Sequence, residues 1–369
     1  MAIFYVESHG KNNIFSSGGY EMPDKYKSSA ITIPVDQAVG NILAHDITEI
    51  RPGQFKGVAF KKGHIVREED ISHLRRLGKE RLFVLQIGPG ELHEDDAAIR
   101  LANALAGPGV VFSNQPSEGK IALKSAYKGL LKVNVEALTE FNLIPNVTCS
   151  SRHNNVMVGE GDTIAATRAI PLIIDETSVN GAVRIAEEAG GIFSVKKLSQ
   201  PDTGLIVTGN EVYSGRIEDK FAPLIRKKLQ FFGCRLRASL FTPDDRERIV
   251  HAIRSLLKKK LGLILVSGGM SIDPDDVSRA AITDAGAEDI VYGTPVLPGA
   301  MFLYGHIGDI PILGLPACVL FYRATVLDIL LPRVLAGELL TRKDLAALAH
   351  GGLCLNCGNC HYPDCPFGK

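Results

Sequence analysis

The sequence lacks an excess of charge of either sign, and it lacks any long hydrophobic run. Its 41 lysines and arginines balance its 41 aspartates and glutamates, so electrostatics gives no reason to expect binding to nucleic acid or to a membrane surface. No run of about 18 apolar residues is present, which predicts no transmembrane helix. The opening residues, MAIFYVESHGKNN, lack the apolar centre of a signal peptide. These absences predict a cytoplasmic protein that binds neither nucleic acid nor membranes.

Cysteine is sparse along most of the chain and crowded near its end. Three of the seven cysteines stand apart in apolar stretches and are expected to be reduced thiols: Cys149, Cys234 and Cys318. The other four give the pattern C-x-x-C-x-x-C-x-x-x-x-C: Cys354, Cys357, Cys360 and Cys365. Four thiolates at this spacing suit either Zn²⁺ or an iron–sulfur cluster, and His361 is a further candidate ligand. A reduced tail without metal is the alternative.

The composition and pattern divide the chain into four regions. Residues 1–30 are a polar N-terminal arm, and residues 31–200 mix short β-like runs with amphipathic helices, which predicts a mixed α+β region. Residues 201–337 alternate strands and helices, and residues 338–369 form a helix followed by a cysteine-rich tail. Two glycines after RKDLAALAH favour the end of a short helix there, so we expect the tail to fold back as a separate metal-binding module.

The alternation in residues 201–337 predicts the fold class. The apolar runs GLIVTG, CRLRASLFT and LGLILVSGG alternate with amphipathic stretches such as KFAPLIRKKLQFFG. This order is typical of an α/β domain with a doubly wound parallel sheet. The stretch MFLYGHIGDIPILGL predicts a β-hairpin, and Pro316 is expected at the entrance of the next helix.

Three loops at the ends of predicted strands are the candidate ligand site, because ligands bind beyond the carboxyl ends of parallel strands. They contain TGNE, SGGMSIDPDD and GLPAC. Glycines allow close backbone approach to a ligand, helix starts after two of the loops offer N–H groups to an anion, and clustered acids suit Mg²⁺ beside phosphate. Neither G-x-G-x-x-G nor G-x-x-x-x-G-K-[ST] occurs in this half of the chain, which argues against dinucleotide and P-loop sites.

These loops carry a family resemblance. The stretches VTGNEVYSGRIEDKFAPLI, LILVSGGMSIDPDDVSRAAI and PVLPGAMFLYGHIGDIPILGLPACV resemble the molybdopterin-binding domain of the MoeA family, which includes the gephyrin E domain. AVGNILAHDI and AFKKGHIVREEDISHLRRLGKERLFVL resemble its N-terminal portion. The family inserts molybdate into adenylated molybdopterin.

The resemblance implies a set of site residues and also exposes departures. The cofactor-binding residues that it implies are Thr208, Gly209, Gly268, Gly269, Ser271, Pro298, Gly299, Gly314, Leu315 and Pro316. The loops themselves add as candidates Asn210, which stands where the family usually has Asp, and Ser267, Asp273 and Asp275. The implied catalytic residues are Asp276 and Glu211, which would hold Mg²⁺ or orient molybdate. Ala300 and Met301 replace the Lys-Pro of the family's P-G-K-P, and its D-G-Y-A motif has no counterpart.

The resemblance therefore implies a molybdopterin-binding protein of molybdenum cofactor biosynthesis, with molybdopterin or adenylated molybdopterin as ligand. If the chain is an enzyme, the resemblance implies a molybdenumtransferase. The family also implies a homodimer. The missing lysine favours an alternative, a non-catalytic carrier or redox sensor that uses the cysteine cluster. A third hypothesis is an enzyme that acts on another nucleotide-like substrate.

Overall fold

The computed structural model describes residues 31–51, 55–84, 87–117, 119–271 and 277–369. Its described residues fall into two compact units. The first extends to Glu91 and includes Pro171–Ile173, and the second comprises Leu92–Ile170 and Ile174–Lys369. The region expected to end near residue 200 is thus divided, because residues from Leu92 onward belong to the same unit as the α/β half. The expected polar arm, residues 1–30, lies outside the described residues.

The first unit is built from short elements. Its strands are β1 (Ile31–Pro34), β2 (Ile47–Arg51), β3 (Phe55–Phe60) and β4 (Arg81–Val84), and its helix is α1 (Asp70–Arg76). β1 pairs with β4 and β2 pairs with β3, both antiparallel. Leu43, Ile47 and Leu74 are fully or almost fully buried in a small hydrophobic cluster, as expected for two-stranded sheets that need apolar packing for stability.

The middle of the chain contains further small antiparallel sheets and three helices. Its strands are β5 (Glu91–His93), β6 (Val110–Phe112), β7 (Lys120–Ser125), β8 (Gly129–Val133), β9 (Val147–Ser151), β10 (Met157–Val158), β11 (Thr163–Ala169), β12 (Ile173–Asp175) and β13 (Phe193–Lys196). Its helices are α2 (Glu94–Leu105), α3 (Val135–Leu143) and α4 (Glu176–Glu188). The sheets run in the orders β6-β7-β11-β9 and β10-β8-β13. The predicted mixed α+β character of this region is confirmed.

The remaining elements form the α/β half and the tail. The strands are β14 (Asp202–Thr208), β15 (Arg235–Thr242), β16 (Leu263–Ser267), β17 (Glu288–Tyr292), β18 (Leu303–Ile307) and β19 (Ile310–Leu315). The helices are α5 (Asn210–Tyr213), α6 (Phe221–Phe231), α7 (Arg246–Leu257), α8 (Ser278–Asp284), α9 (Val326–Leu335) and α10 (Arg342–Ala347).

One six-stranded sheet organises this half, in the order β15-β14-β16-β19-β18-β17. β15, β14, β16 and β19 are mutually parallel where they pair, and all five residues of β16 are buried, as in a strand covered on both faces. The predicted parallel α/β sheet is confirmed. The hairpin of β18 and β19 is confirmed too, and it makes the far edge of the sheet antiparallel.

The helix expected to start at Pro316 begins ten residues later, at Val326. Residues Ala317–Leu320 form only a single 3₁₀ turn. Helix α9 starts after Thr325, whose side chain and that of Asp328 satisfy each other's backbone N–H groups in a capping box. That reciprocal cap defines a strong helix start, whereas Pro316 is only permissive.

A buried ion-pair network joins the middle of the chain to α9 and the tail. Arg333, 6% exposed, donates to Glu338 at 2.8 Å and to Asp344 at 2.7 Å. Lys132 of β8 lies 2.7 Å from the other oxygen of Glu338. Burial opposes ionisation of Asp344, but hydrogen bonds from Thr341 and Arg333 outweigh it and lower its pKa to about 2. The network therefore keeps its carboxylates charged, as a buried arginine requires.

No helix in the described ranges combines the length and the apolar character needed to cross a bilayer.

Candidate functional site

Three strands of the six-stranded sheet end side by side at its carboxyl edge. In the register of the sheet, Val207 of β14 pairs with Ser267 of β16, and Ser267 pairs with Leu315 of β19. The loops that follow these strands therefore emerge from one edge. This is the place where open parallel sheets bind ligands.

A cavity of about 590 Å³ lies at this edge. Its lining comes from the loop after β16, the segment before β18, the turn after β19 and the C-terminal tail: Gly268, Gly269, Met270, Ser271, Leu297, Pro298, Gly299, Ala300, Met301, Pro316, Ala317, Cys318, Tyr322, Leu353, Cys354 and Asn356. The lining residues that the structure describes include no Lys, Arg, His, Asp or Glu. An anionic ligand there depends on backbone N–H groups, or on groups outside the described residues, for its stabilisation.

Gly268 and Gly269 open the loop after β16 in a conformation that side chains disfavour. Their φ angles are +89° and +59°. A Cβ on Gly268 would lie 2.5 Å from Oγ1 of Thr208, and a Cβ on Gly269 would lie 2.5 Å from Oγ of Ser278. Both positions therefore require glycine for backbone conformation and for packing. Thr208 and Ser278 support the loop from behind, with their hydroxyl oxygens 3.5 Å apart.

Met270 is the buried anchor of the same loop. Its side chain is 3% exposed, and its carbonyl accepts a 2.6 Å hydrogen bond from the hydroxyl of Tyr292. A Cβ on Gly314 would lie 2.5 Å from Sδ of Met270, so the small residue in β19 makes room for this side chain. Gly314 thus acts on the cavity through Met270 and not through direct exposure to it.

The loop after β14 turns toward a different neighbour. The N–H of Gly209 donates to the carbonyl of Thr242 at the end of β15, and the N–H of Asn210 donates to Asp244 at 3.1 Å. Residues Thr208–Glu211 are therefore not among the described lining of the cavity. Glu211, one of the two expected catalytic residues, is exposed on α5, tied to the β15 side of the edge.

The helix N-termini that were expected to bind an anion can contribute little to anion binding. Helices α5 and α8, which follow the first two loops, contain four and seven residues. The macrodipole of a helix grows from aligned peptide units, so helices this short contribute little. If an anion binds here, the loop backbone has to supply most of the N–H groups.

The acidic part of the loop after β16 lies outside the described residues. It contains Asp273, Asp275 and Asp276, so their predicted roles stay predictions. Ser267, at the end of β16, is fully buried, and its hydroxyl has no hydrogen-bond partner among the described residues. A buried hydroxyl without a partner is costly, which makes Ser267 a candidate donor or acceptor next to the loop.

The four tail cysteines line a second cavity, of about 300 Å³, together with His361. All four are free thiols; Cys357 is exposed and the others are partly buried. Within the described ranges, no group of three or more His, Cys, Asp or Glu side chains is placed to hold a metal ion. The spacing thus brings the thiols to one cavity without assembling a closed ligand set.

The other three cysteines behave as the sequence indicates. Cys149 and Cys234 are buried free thiols, and burial raises their pKa to about 12 and about 11. Cys318 is partly buried and lines the larger cavity, and burial raises its pKa as well. All three therefore remain protonated at neutral pH.

Sequence reasoning missed part of the lining: Met270, Leu297, Tyr322, Leu353 and Asn356. Met270 and Leu297 adjoin predicted motif residues, so proximity in the chain could have found them. Leu353 and Asn356 come from the tail, and nothing local in the sequence indicates that they approach the sheet.

Comparison with known families matches two parts of the chain. Residues 204–336 match the family described as "Probable molybdopterin binding domain". Residues 32–86 match a "Domain of unknown function (DUF8806)". The expected likeness of the first region to the N-terminal portion of the MoeA family stays a prediction.

Two curated relatives match over limited stretches. A molybdopterin molybdenumtransferase of Synechococcus elongatus is 26% identical over 142 residues, which cover 36% of this chain and 35% of that protein. A CinA-like protein of Thermosipho melanesiensis is 34% identical over 88 residues, which cover 24% of this chain and 22% of that protein. The chain thus spans about a third or less of the length of these relatives.

Among solved structures, the molybdopterin biosynthesis enzyme MoaB of Thermus thermophilus is similar at 22% identity and a TM-score of 0.32. The match covers 38% of this chain and 98% of that one.

Proposed function

We propose that this chain, whose residues 204–336 match the family described as "Probable molybdopterin binding domain", binds molybdopterin or adenylated molybdopterin at the carboxyl edge of its six-stranded sheet. The family match supports a role in molybdenum cofactor biosynthesis. The observation that carries the proposal is the cavity of about 590 Å³, whose walls include the family motif residues Gly268, Gly269, Ser271, Pro298 and Gly299. Its volume is in the range of roughly 300–1,000 Å³ that small-molecule sites occupy.

The character of the lining suits a pterin better than a strongly charged ligand. Apolar side chains such as Met270, Leu297 and Met301 can cover a flat ring system, and Asn356 offers an amide that both donates and accepts hydrogen bonds. The phosphate of the ligand would be held by N–H groups of the loop at Gly268 and Gly269, where the absence of Cβ permits close approach.

In the same proposal, insertion of molybdate depends on the acids of the loop after β16. Molybdate and the ligand phosphate are both anions, and the described lining contains no cation to screen their repulsion. Mg²⁺ held by Asp276, with Asp273 and Asp275 in support, would supply that screening and orient molybdate. Glu211 would join this set only if the loop after β14 leaves its contacts with the loop after β15.

A carrier without insertion activity is the second candidate, and one observation favours it. Ala300 stands at the cavity where the MoeA family has a lysine, and no other cation takes its place among the described lining residues. A protein that only holds finished cofactor needs shape and backbone N–H groups but no arrangement that brings two anions together.

The tail cysteines belong to the proposal as a metal site for Zn²⁺ or an iron–sulfur cluster. Their support is that all four line one cavity of about 300 Å³ and that thiolates bind both kinds of centre. Because the thiols are not preassembled, metal binding would have to draw them together. The homodimer and the cytoplasmic location stay predictions.

A pair of matched substitutions tests ligand binding. Ala317 is exposed and lines the cavity, so Ala317→Trp should fill it and lower the affinity for anaerobically prepared molybdopterin at least tenfold while the fold persists. Ala346 is exposed on α10, away from the cavity, and Ala346→Trp is the control. Bound pterin is quantified by its fluorescence after oxidation. Equal affinity in both variants would rule out this cavity as the site.

A second experiment on the unmodified chain distinguishes a transferase from a carrier. Incubation with adenylated molybdopterin, molybdate and Mg²⁺ should release AMP if the chain is a transferase, and Asp276→Ala should abolish that release. Binding without AMP release, unchanged by Asp276→Ala, would identify a carrier.

A further inference from the structure

The C-terminal tail, residues 338–369, returns to the α/β half of the chain after α10. The N–H of Leu297 donates to the carbonyl of Gly352, and the N–H of Cys354 donates to the carbonyl of Leu297, each at 2.8 Å. These bonds form a parallel bridge between Leu297 and Leu353. Backbone pairing on both sides of Leu297 therefore fixes the tail beside a segment that lines the larger cavity.

Aromatic side chains near the end of the tail fix it more firmly. The hydroxyl of Tyr362 donates to the carbonyl of Asp328 on α9 at 3.0 Å. Phe367 is 3% exposed and belongs to the hydrophobic cluster that also contains buried residues of β14, β16 and α9. Gly368 packs so closely on Ile329 that a Cβ would lie 2.7 Å from it. The tail is thus part of this core, and the expectation of a separate module is wrong.

The tail also contributes to the cavity at the sheet edge. Leu353, Cys354 and Asn356 line it together with the glycine loop after β16. Cys354 lines the cysteine cavity as well, so it is shared by the two cavities. The N–H of Asn356 donates to Sγ of Cys354 at 3.5 Å, which ties these two residues to each other.

From this arrangement we propose that the tail residues Leu353, Cys354 and Asn356 form a binding wall of the ligand site and help to determine which ligand it accepts. The inference rests on the proposed pterin binding and adds residues that lie beyond residue 336, where the family match ends. An aliphatic side chain, a thiol and an amide present apolar contact and hydrogen-bonding groups to the same ligand. The glycine loop receives the phosphate and the tail contacts the rest of the ligand.

Two leucines of the tail offer a matched comparison. Leu353 and Leu355 are 64% and 71% exposed, so a charged side chain at either position costs little stability. Leu353 lines both cavities, whereas Leu355 lines only the cysteine cavity. Truncation of the tail is a poorer test, because it also removes Phe367 from the core.

The experiment compares Asp and Lys at each of the two positions. Molybdopterin is an anion, so Leu353→Asp should bind it at least tenfold more weakly than Leu353→Lys, since opposite charges at one cavity wall act in opposite directions. At position 355 the Asp and Lys variants should agree within about twofold at 0.15 M ionic strength, where charges outside the site are screened. Thermal unfolding of all four variants checks that the fold is retained.

The outcomes separate this inference from the proposed function. Suppose that the unmodified chain binds molybdopterin and that the ratio of the dissociation constants of the Asp and Lys variants is the same at positions 353 and 355. The tail then does not contact the ligand, and the proposed binding wall is refuted. If the unmodified chain does not bind molybdopterin, the proposed function fails and the inference that rests on it fails too. If the Asp variant binds molybdopterin at least tenfold more weakly than the Lys variant at position 353 but not at position 355, the binding wall is supported.

Discussion

The loops after β14 and β16 look alike in sequence and differ in what they do in the structure. Each follows a buried strand that ends in a hydroxyl residue, each begins with glycine, and the strands are parallel neighbours. Yet Gly209 bonds to the end of β15 and Asn210 to the loop that follows it, while Gly268 and Gly269 line the cavity. The difference comes from strand order: β14 lies between β15 and β16, and its loop pairs with the former. A motif at the carboxyl edge is therefore not enough to place a residue in the site.

The largest difference between the two loops is expected when valine replaces the first glycine of each, Gly268 or Gly209. A Cβ at Gly268 would lie 2.5 Å from Oγ1 and 2.7 Å from the carbonyl oxygen of Thr208, so Gly268→Val combines left-handed strain with overpacking. We expect a loss of about 2–4 kcal/mol in the free energy of unfolding and at least a tenfold loss in molybdopterin affinity. Denaturant unfolding and equilibrium binding measure the two effects.

Gly209→Val is the control for that substitution. Gly209 has φ of +140°, but the nearest atom to its Cβ would be the flexible carboxylate of Glu211 at 3.5 Å. Strain alone should cost about 1–3 kcal/mol and leave affinity within about twofold. Equal affinity losses at Gly209 and Gly268 would make the two loops equivalent.

A smaller contrast is expected from removal of one tyrosine hydroxyl near each loop. Tyr292→Phe deletes the donor to the carbonyl of Met270 and should cost about 1 kcal/mol and weaken binding severalfold, because the cavity loop loses its anchor. Tyr213→Phe deletes the hydroxyl that accepts a hydrogen bond from Arg248 beside the loop after β14. Its affinity should match that of the unmodified chain; a loss as large as that of Tyr292→Phe would contradict the assignment of roles.

The smallest effect is expected from Asp244→Ala. This change removes the exposed carboxylate that accepts from the N–H of Asn210 and should cost no more than about 1 kcal/mol. Ligand affinity should not change, since Asn210 is outside the described lining. A clear change in affinity, in either direction, would show that the loop after β14 reaches the ligand and would restore a role for Glu211.

Local pattern was sufficient to predict most of the α/β half. The four apolar residues of β16 and the two apolar runs around Gly308 and Asp309 specify a buried strand and a hairpin, and both formed. The start of α9 was missed although the signal was present: Thr325 and Asp328 have the spacing of a capping box. Pro316 only permits a helix start, whereas the reciprocal cap of Thr325 and Asp328 stabilises one.

The position of the tail could not be read from local pattern. Its two backbone bonds to Leu297 join residues more than fifty positions apart, and Leu353 has no periodicity that indicates a partner. The four cysteines drew the interpretation toward an independent metal module. Phe367 and Tyr362 pack in the hydrophobic cluster that contains α9, but two aromatic residues in a short segment specify no particular surface.

The close packing of Thr208 against Gly268 also constrains how the sequence can change over time. Because a Cβ at position 268 would meet both the hydroxyl and the carbonyl of Thr208, removal of that hydroxyl would relieve only part of the collision. Substitutions at the two positions should therefore be epistatic, with a coupling of about 0.5–3 kcal/mol. A smaller residue 208 lowers the cost of a larger residue 268 without removing it, so the order of the two mutations sets how unstable the intermediate sequence is.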